Sequence, residues 1–346
     1  MQRVPLGRTG LSVSRLCLGT MTFGTQTAPE DSHAQLDRAL AAGINFLDTA
    51  EMYPVNPISE DTIGRTEEII GDWFARTGRR DDWVVATKIS GEGSRARGGE
   101  PITADSLRRA VEGSLRRLRT DRIDLYQFHW PNRGSYHFRQ NWRYDPSRQN
   151  REETLAHMVE ALETLKALQA EGKVAQFGLS NESAWGTAQW LRLAEAGHGP
   201  RVAAIQNEYS LLCRLFDTDL GELSVNEDVT LLAFSPLGAG LLTGKYAGDV
   251  IPEGSRRSRN PALGGRVAPR VWEAVSAYLG IANEAGLDPV RMAVAWTLTR
   301  PFPVVPIVGA TTLAQLDHLL PAAEMTLSGD VLEAIDAAHR AHPMPY

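Results

Sequence analysis

Short apolar runs alternate with amphipathic stretches along most of the chain. Each run is the right length for a buried strand and too short for a buried helix. Eight such runs occur, at 16–19, 46–48, 84–87, 123–128, 175–179, 203–206, 230–234 and 304–307.

Helical patterns fill most of the intervals between these runs. In the first pattern, Leu36 and Leu40 lie one turn apart and share a face. The patterns cover 32–42, 62–76, 103–117, 152–170 and 184–195. Parallel strands need such crossover connections, so the alternation predicts a closed (β/α)8 TIM barrel that occupies residues 1–346 as a single domain.

Residues 3–14 precede the first run and have the pattern of two short strands. The turn residues GRTG at 7–10 separate them, which is typical of a β-hairpin. We expect this N-terminal hairpin to close one end of the barrel.

Two connections are longer than the others. The segment 131–151 holds aromatic residues such as Phe138 and Trp142 among many polar ones. Because loops at the carboxyl ends of barrel strands build active sites, we expect this loop to shape a substrate pocket; the alternative is a surface insertion without a role in binding. The segment 235–303 begins with a glycine-rich stretch and contains two helical patterns.

Polar residues stand where three neighbouring runs end. Asp48 ends the second run, Lys88 directly follows the third and His129 directly follows the fourth, while Tyr53 follows Asp48 closely. A free phenol has a pKa of about 10, and a nearby ammonium such as that of Lys88 lowers it. Asp48 could hold Lys88 by an ion pair, and His129 could orient a substrate oxygen. This four-residue site suits carbonyl reduction with Tyr53 as the general acid.

Each member of the four-residue site also has a purely structural explanation. Asp48 could cap a turn, Lys88 could be a solvated lysine, and Tyr53 could be a half-buried aromatic. His129 ends an apolar run and could equally be a hydrogen-bonded core histidine. Only the joint arrangement at neighbouring strand ends favours the catalytic interpretation.

Composition narrows the class of protein. A formal net charge of −6 and a pI near 5.8 argue against a surface that neutralises nucleic-acid phosphates. No run of about 18 apolar residues marks a membrane span, and MQRVPLGRTG lacks the apolar core of a signal peptide. Only two cysteines occur, Cys17 and Cys213, so we expect a reducing compartment, the cytoplasm. Neither they nor the histidines have the spacing of a metal site.

Five segments taken together resemble the aldo-keto reductases. They are FLDTAEMY at 46–53, ATK ending at Lys88, FHW around His129, GLSN ending at Asn181, and SPLGAGLLTGKY at 235–246. Their order and spacing cover nearly the whole chain. The closing segment LSGDVLEAIDAAHRAHPMPY and the long loop after His129 are most similar to the Tas-like bacterial branch of that superfamily.

The resemblance implies an NADPH or NADP+ cofactor bound in extended form at the barrel mouth, without a Rossmann domain. The residues that it assigns to this cofactor are Ser180, Asn181, Gln206, Phe234, Ser235, Leu237, Gly238, Gly240, Lys245, Arg256, Gly309, Thr311 and Gln315. The first three would hold the carboxamide, and Phe234 would stack on the nicotinamide ring. The glycine-rich segment would wrap the pyrophosphate, because glycine lets backbone amides approach a phosphate closely.

Two features of the chain depart from the strongest family pattern. Many members carry an acid and an asparagine for adenine where this chain has His318 and Leu319. Gln315 is neutral where other branches place arginine, so Lys245 and Arg256 remain to pair with the extra phosphate that distinguishes NADPH from NADH.

The residues and the resemblance together predict NADPH-dependent, reversible reduction of an aldehyde or ketone, with a small carbonyl compound as partner. The alternative is an NADP(H)-binding regulatory or interaction subunit, because the superfamily includes the potassium-channel β subunits. The presence of all four candidate catalytic residues favours the enzyme, although a fold by itself does not fix a function.

Overall fold

A closed barrel of eight parallel strands forms the centre of the computed structural model, which describes residues 1–346. The strands, including two that precede the barrel, are β1 (Arg3–Pro5), β2 (Ser12–Ser14), β3 (Cys17–Gly19), β4 (Phe46–Asp48), β5 (Val84–Ile89), β6 (Ile123–Phe128), β7 (Val174–Ser180), β8 (Val202–Glu208), β9 (Thr230–Phe234) and β10 (Val304–Val308). Around the barrel each strand pairs with the next in the chain, and β10 closes the circle against β3. The predicted TIM barrel is therefore confirmed.

Helices surround the barrel in the order that crossover connections require. They are α1 (Pro29–Ala41), α2 (Arg65–Thr77), α3 (Ala104–Leu118), α4 (Arg151–Ala170), α5 (Ala184–Glu195), α6 (Asp219–Glu227), α7 (Arg256–Arg259), α8 (Val271–Glu284), α9 (Pro289–Thr297), α10 (Leu313–Leu319) and α11 (Gly329–Ala341). Several begin where the sequence carries a capping signal. Thr103 and Ser106 form a capping box at α3, and the Asn150 side chain accepts backbone N–H groups at the start of α4.

The hairpin of β1 and β2 covers the end of the barrel at which the strands begin. Leu6 is fully buried there, and the Gly7 amide donates to the Thr230 hydroxyl at 2.9 Å. Gly7 has φ of +53°, and a Cβ at this position would lie 2.5 Å from the Ala203 carbonyl oxygen. Only glycine allows the turn to approach β8 this closely, which agrees with the expected closing role.

The core has two layers because barrel strands are covered on both faces. One layer fills the barrel interior and includes Phe46, Leu125 and Leu232, all without solvent exposure. The other lies between the strands and the helices, where residues such as Phe177 pack. The interior layer occupies mainly the middle and the amino ends of the strands, which leaves the interior positions at the carboxyl ends free to carry polar groups.

Four helices have no counterpart among the predicted ones: α6, α10, α7 and α11. The first two span nine and seven residues, which is too short for a periodic apolar face to stand out in the sequence. Within 235–303 the two predicted helical patterns correspond to α8 and α9. None of the helices combines the length and hydrophobicity that a bilayer crossing requires.

Candidate active site

Three adjacent strands bring the four predicted catalytic residues together at the carboxyl end of the barrel. Asp48 is the last residue of β4, Lys88 lies in β5, and His129 directly follows β6. The Lys88 ammonium lies 2.8 Å from an Asp48 carboxylate oxygen and 3.5 Å from the Tyr53 hydroxyl. The Tyr53 and His129 rings meet edge to face, with 5.8 Å between their centroids. The four side chains thus form one connected cluster.

Lys88 has no solvent-exposed surface, and its ammonium has three hydrogen-bond acceptors within reach. Besides Asp48 and Tyr53 it contacts the Thr49 carbonyl oxygen at 2.7 Å. Burial opposes the charge, but Asp48 and then Tyr53 outweigh it, so the pKa of Lys88 lies above its ordinary value. The side chain is a permanent buried cation at neutral pH.

Two amide side chains donate hydrogen bonds to the second carboxylate oxygen of Asp48, the one that does not contact Lys88. Gln206 Nε2 donates to Oδ1 at 2.8 Å, and Gln127 Nε2 donates to the same atom at 3.2 Å. Gln127 was not among the predicted site residues. It stands in the strand IDLYQF two residues after the barrel-lining Leu125, and therefore on the same face, which is the sequence signal that could have identified it. These amides keep one carboxylate oxygen directed at Lys88.

Tyr53 keeps its proton more firmly than the sequence suggests. Burial raises the pKa of its phenol above the ordinary value, and Lys88 offsets this only in part. The lowering effect expected of the ammonium is present, but burial outweighs it, so the net direction of the change in the pKa of Tyr53 is upward. At neutral pH the residue is a protonated phenol beside a cation.

His129 is neutral under the same conditions. Burial, followed by the nearby Lys88 charge, places the pKa of His129 well below its ordinary value. Its Nδ1 atom is buried and has no hydrogen-bond partner, and the His129 carbonyl oxygen accepts from Asn181 Nδ2 at 2.9 Å. A neutral imidazole can donate one hydrogen bond without competing for the proton of Tyr53.

The residues assigned to the carboxamide lie beside the four-residue site, on β7, just after it and on β8. The Ser180 hydroxyl donates to the Gln206 carbonyl oxygen at 2.8 Å and accepts from Asn181 Nδ2 at 3.0 Å. Asn181 Oδ1 is buried without a partner, so it offers an unused acceptor for an amide N–H. The side-chain amide nitrogen of Gln206 donates to Asp48. Gln206 therefore contacts Ser180 through its backbone and Asp48 through its side chain.

The segment after β9, which the resemblance assigns to the pyrophosphate, has an irregular backbone. Phe234 ends the strand half-buried, and Ser235, Gly238 and Gly240 have φ of +55°, +55° and +96°. A Cβ on Gly238 would lie 2.9 Å from a Leu212 methyl group. Leu237, between them, stays partly buried against the core. The Gly238 and Gly240 amides donate to the Ser235 and Leu237 carbonyl oxygens at 2.8 and 3.0 Å, so these two amides are used within the turn itself.

The two predicted cationic contacts differ in their surroundings. The Lys245 ammonium lies 5.1 Å from the centre of the Tyr246 ring. Arg256 Nε is buried without a partner, and burial followed by the nearby Arg266 charge lowers the pKa of Arg256 to about 10. An unpaired guanidinium beside a second arginine favours a bound anion.

The last group of predicted contacts follows β10. Gln315 Oε1 accepts from the Thr311 backbone N–H at 2.9 Å and from its hydroxyl at 3.0 Å, so this side chain closes the turn. Gly309 lies against β3, where an added Cβ would stand 3.3 Å from the Gly19 carbonyl oxygen. His318 pairs with Asp288 at 2.9 Å, and Leu319 is buried.

Aromatic side chains continue the site outward. The His129 and Trp130 rings are 5.0 Å apart, and Trp130 meets Phe138 of the long loop edge to face at 6.0 Å. A cavity of about 560 Å³ lies elsewhere, on the flank of the barrel, between the rest of this loop, α4 and α5. Of the predicted site residues only Ser180 lines that cavity. The long loop therefore packs an aromatic residue, Phe138, against Trp130 and also covers the flank.

This combination defines a class of protein: a barrel oxidoreductase with a buried acid, lysine, tyrosine and histidine at its open end. The sequence model of the Aldo/keto reductase family matches residues 15–340, and the chain belongs to that family. Membership makes the protein an oxidoreductase of a family that acts on carbonyl compounds and generally uses NAD(P)H.

Curated relatives extend over the same length. The chain is 41% identical to Protein tas of Escherichia coli, over 100% of this chain and 99% of that protein. It is 33% identical to the uncharacterized oxidoreductase YrpG of Bacillus subtilis, over 97% and 95%. It is 30% identical to a probable voltage-gated potassium channel subunit beta of Arabidopsis thaliana, over 99% and 98%. The likeness to the Tas-like branch is confirmed.

Proposed function

We propose that the protein reduces an aldehyde or ketone to an alcohol with NADPH, reversibly, and that Tyr53 supplies the proton. The observation that carries this proposal is the Tyr53 hydroxyl, 3.5 Å from a fully buried ammonium that is itself paired with Asp48 at 2.8 Å. A phenol next to a fixed cation can release a proton because the resulting phenolate is stabilised in place.

In the proposed mechanism the proton is held on the Tyr53 oxygen until the substrate oxygen becomes basic. As the proton leaves, negative charge develops on Tyr53, and the Lys88 ammonium stabilises it without reorganising. Asp48 keeps Lys88 charged and directed at Tyr53, while its other oxygen is fixed by Gln127 and Gln206. In the direction of alcohol oxidation the phenolate would act as the base.

His129 orients the substrate in this mechanism. A neutral imidazole 5.8 Å from the Tyr53 ring can donate a hydrogen bond to the carbonyl oxygen that receives the proton. The Trp130 ring next to it, and the Phe138 ring that packs against Trp130, favour a carbonyl compound with an apolar body. The proton therefore passes to an oxygen that is already positioned.

A nicotinamide cofactor supplies the hydride when bound. The unused acceptor of Asn181 fits a carboxamide, and the unpaired guanidinium of Arg256 fits a phosphate. Lys245 and Arg256 support a preference for NADPH because they offer positive charge to the additional phosphate. We also propose that residues 1–346 act as one domain in the cytoplasm, since two unpaired cysteines suit a reducing compartment.

Replacement of Tyr53 with phenylalanine tests the proposed proton donor. We expect NADPH binding to be retained and turnover of a panel of aldehydes to fall by about 10²–10⁴-fold. Tyr278→Phe is a matched control, because the Tyr278 hydroxyl is buried in α8 without a partner and outside the site. Unchanged turnover in Y53F would remove Tyr53 from the mechanism.

A binding function is the second candidate, and the likeness to a potassium-channel β subunit is the observation that favours it. In that case NADPH would bind but would not be consumed with any carbonyl compound. Single-turnover measurements with NADPH-loaded protein and the same aldehyde panel separate the two candidates: oxidation of the bound NADPH supports the enzyme, and its persistence supports the subunit.

A further inference from the structure

Glu208, the last residue of β8, accepts hydrogen bonds from three separate segments of the chain. Its side chain is 7% exposed. Arg266 Nε donates to Oε1 at 2.7 Å, the Tyr346 hydroxyl donates to the same oxygen at 3.0 Å, and Arg139 Nη1 donates to Oε2 at 2.8 Å. One buried carboxylate therefore connects parts of the chain that are far apart in sequence.

Two of these segments belong to the proposed site. Arg139 lies in the long aromatic loop (131–150), and Arg266 lies in the cofactor segment (235–266). Arg139 Nε also donates to the Gly264 carbonyl oxygen at 2.6 Å, so the two segments touch each other directly above Glu208. Arg266 Nη2 lies 3.5 Å from the hydroxyl of Ser235, a proposed pyrophosphate contact. The carboxylate thus supports the substrate side and the cofactor side together.

The long aromatic loop has a second anchor of the same kind. Arg133 forms a two-pronged ion pair with Glu182, which is buried and directly follows Asn181. Glu208 stands two residues after Gln206 in the same manner. The loop is therefore fixed to the two strand ends that carry the proposed carboxamide contacts.

The charges around Glu208 make its role difficult to replace. Burial opposes its ionisation, but Arg266 and then Arg139 outweigh burial and hold the pKa of Glu208 below its ordinary value. Two guanidinium groups share this one carboxylate, and the Arg256 side chain adds a third positive charge nearby. Loss of the carboxylate leaves buried cations unpaired, which is strongly unfavourable in either segment.

We propose that Glu208 is a positioning residue that couples the long aromatic loop to the cofactor segment, so that the pocket for the carbonyl compound and the site for the cofactor are assembled together. Coupling of this kind arises when two ligand sites depend on one shared element. The inference rests on the proposed reductase function for the identity of the two ligands.

The test compares Glu208→Gln with variants of each arginine. Binding of NADPH is followed by quenching of intrinsic fluorescence, and KM and kcat are measured with one aldehyde. We expect E208Q to raise both the Kd for NADPH and the KM for the aldehyde by about tenfold or more, with a smaller change in kcat. Arg139→Met should raise mainly the KM, and Arg266→Met mainly the Kd.

Arg143→Met is the matched control, because Arg143 is an exposed arginine of the same loop. A folded E208Q protein with both constants within about twofold of the wild type overturns the proposal. If E208Q does not fold, the double variant R139M/R266M decides. If its changes in Kd and KM equal the sum, in free energy, of the changes in the two single variants, the proposal that the two arginines act through one carboxylate is overturned.

A wild-type protein that binds NADPH but reduces no carbonyl compound would refute the proposed function, and the coupling would still be measurable. Trypsin cleavage after Arg143 or Arg148 reports the order of the loop. Cleavage that NADPH slows in the wild type but not in E208Q supports the coupling, and equal protection in both proteins refutes it.

Discussion

Replacement of Lys88 with methionine is the sharpest test of the buried ion pair. Methionine has a similar length and no charge, so the substitution removes the ammonium and little volume. The ammonium interacts with Asp48 at 2.8 Å, with the Thr49 carbonyl oxygen at 2.7 Å and with the Tyr53 hydroxyl at 3.5 Å, and methionine can replace none of these interactions. Asp48 is then a buried carboxylate without its counterion.

The expected loss of folding stability depends on the groups that remain around Asp48 after the substitution. Removing one partner of a buried pair costs about 3–5 kcal/mol of folding stability. Because Gln127 and Gln206 still donate to the other oxygen of Asp48, we expect a loss near the lower end, about 3 kcal/mol. Loss of the charge that stabilises the Tyr53 phenolate should lower kcat by about 10²–10³-fold.

The assays are urea unfolding followed by circular dichroism and steady-state NADPH consumption with a reducible aldehyde. Lys173→Met is the matched control, because Lys173 pairs with Glu112 and Glu171 at the protein surface and should affect neither quantity measurably. A K88M protein with kcat within about threefold of the wild type would refute the electrostatic role assigned to Lys88.

Two further predictions concern acid pH and cofactor choice. Because the pKa of His129 is depressed in the folded protein, its contribution to stability is present above about pH 6.5 and is lost as pH falls below that value. When the free energy of unfolding is measured by urea titration at several values between about pH 7 and 5, it should therefore fall less in the His129→Gln variant than in the wild type. Equal falls in the two proteins would contradict a depressed pKa of His129. Arg256→Met should weaken NADPH binding by about tenfold or more and NADH binding much less, measured by titration calorimetry. Equal losses for both cofactors would place Arg256 away from the additional phosphate.

The candidate site shows how far residue patterns carry. Strand ends on neighbouring elements of a predicted barrel were sufficient to place Asp48, Lys88 and His129 side by side, because parallel strands all end on the same face. The sequence did not reveal that Gln127 would share Asp48 with Gln206, since the two glutamines lie on different strands. The pKa of Tyr53 also required the structure, because its main cause is burial by residues distant in sequence.

The sequence by itself determined the alternation of strands and helices, the barrel, the family, and the candidate site of three residues near strand ends with Tyr53 just beyond one of them. These follow from local periodicity and short motifs, which each segment carries on its own. Only the tertiary structure decided which donor groups share a partner: Arg139, Arg266 and Tyr346 all donate to Glu208 from three distant segments. Ion pairs between loops depend on the closure of the barrel, and no local pattern in the sequence encodes that geometry.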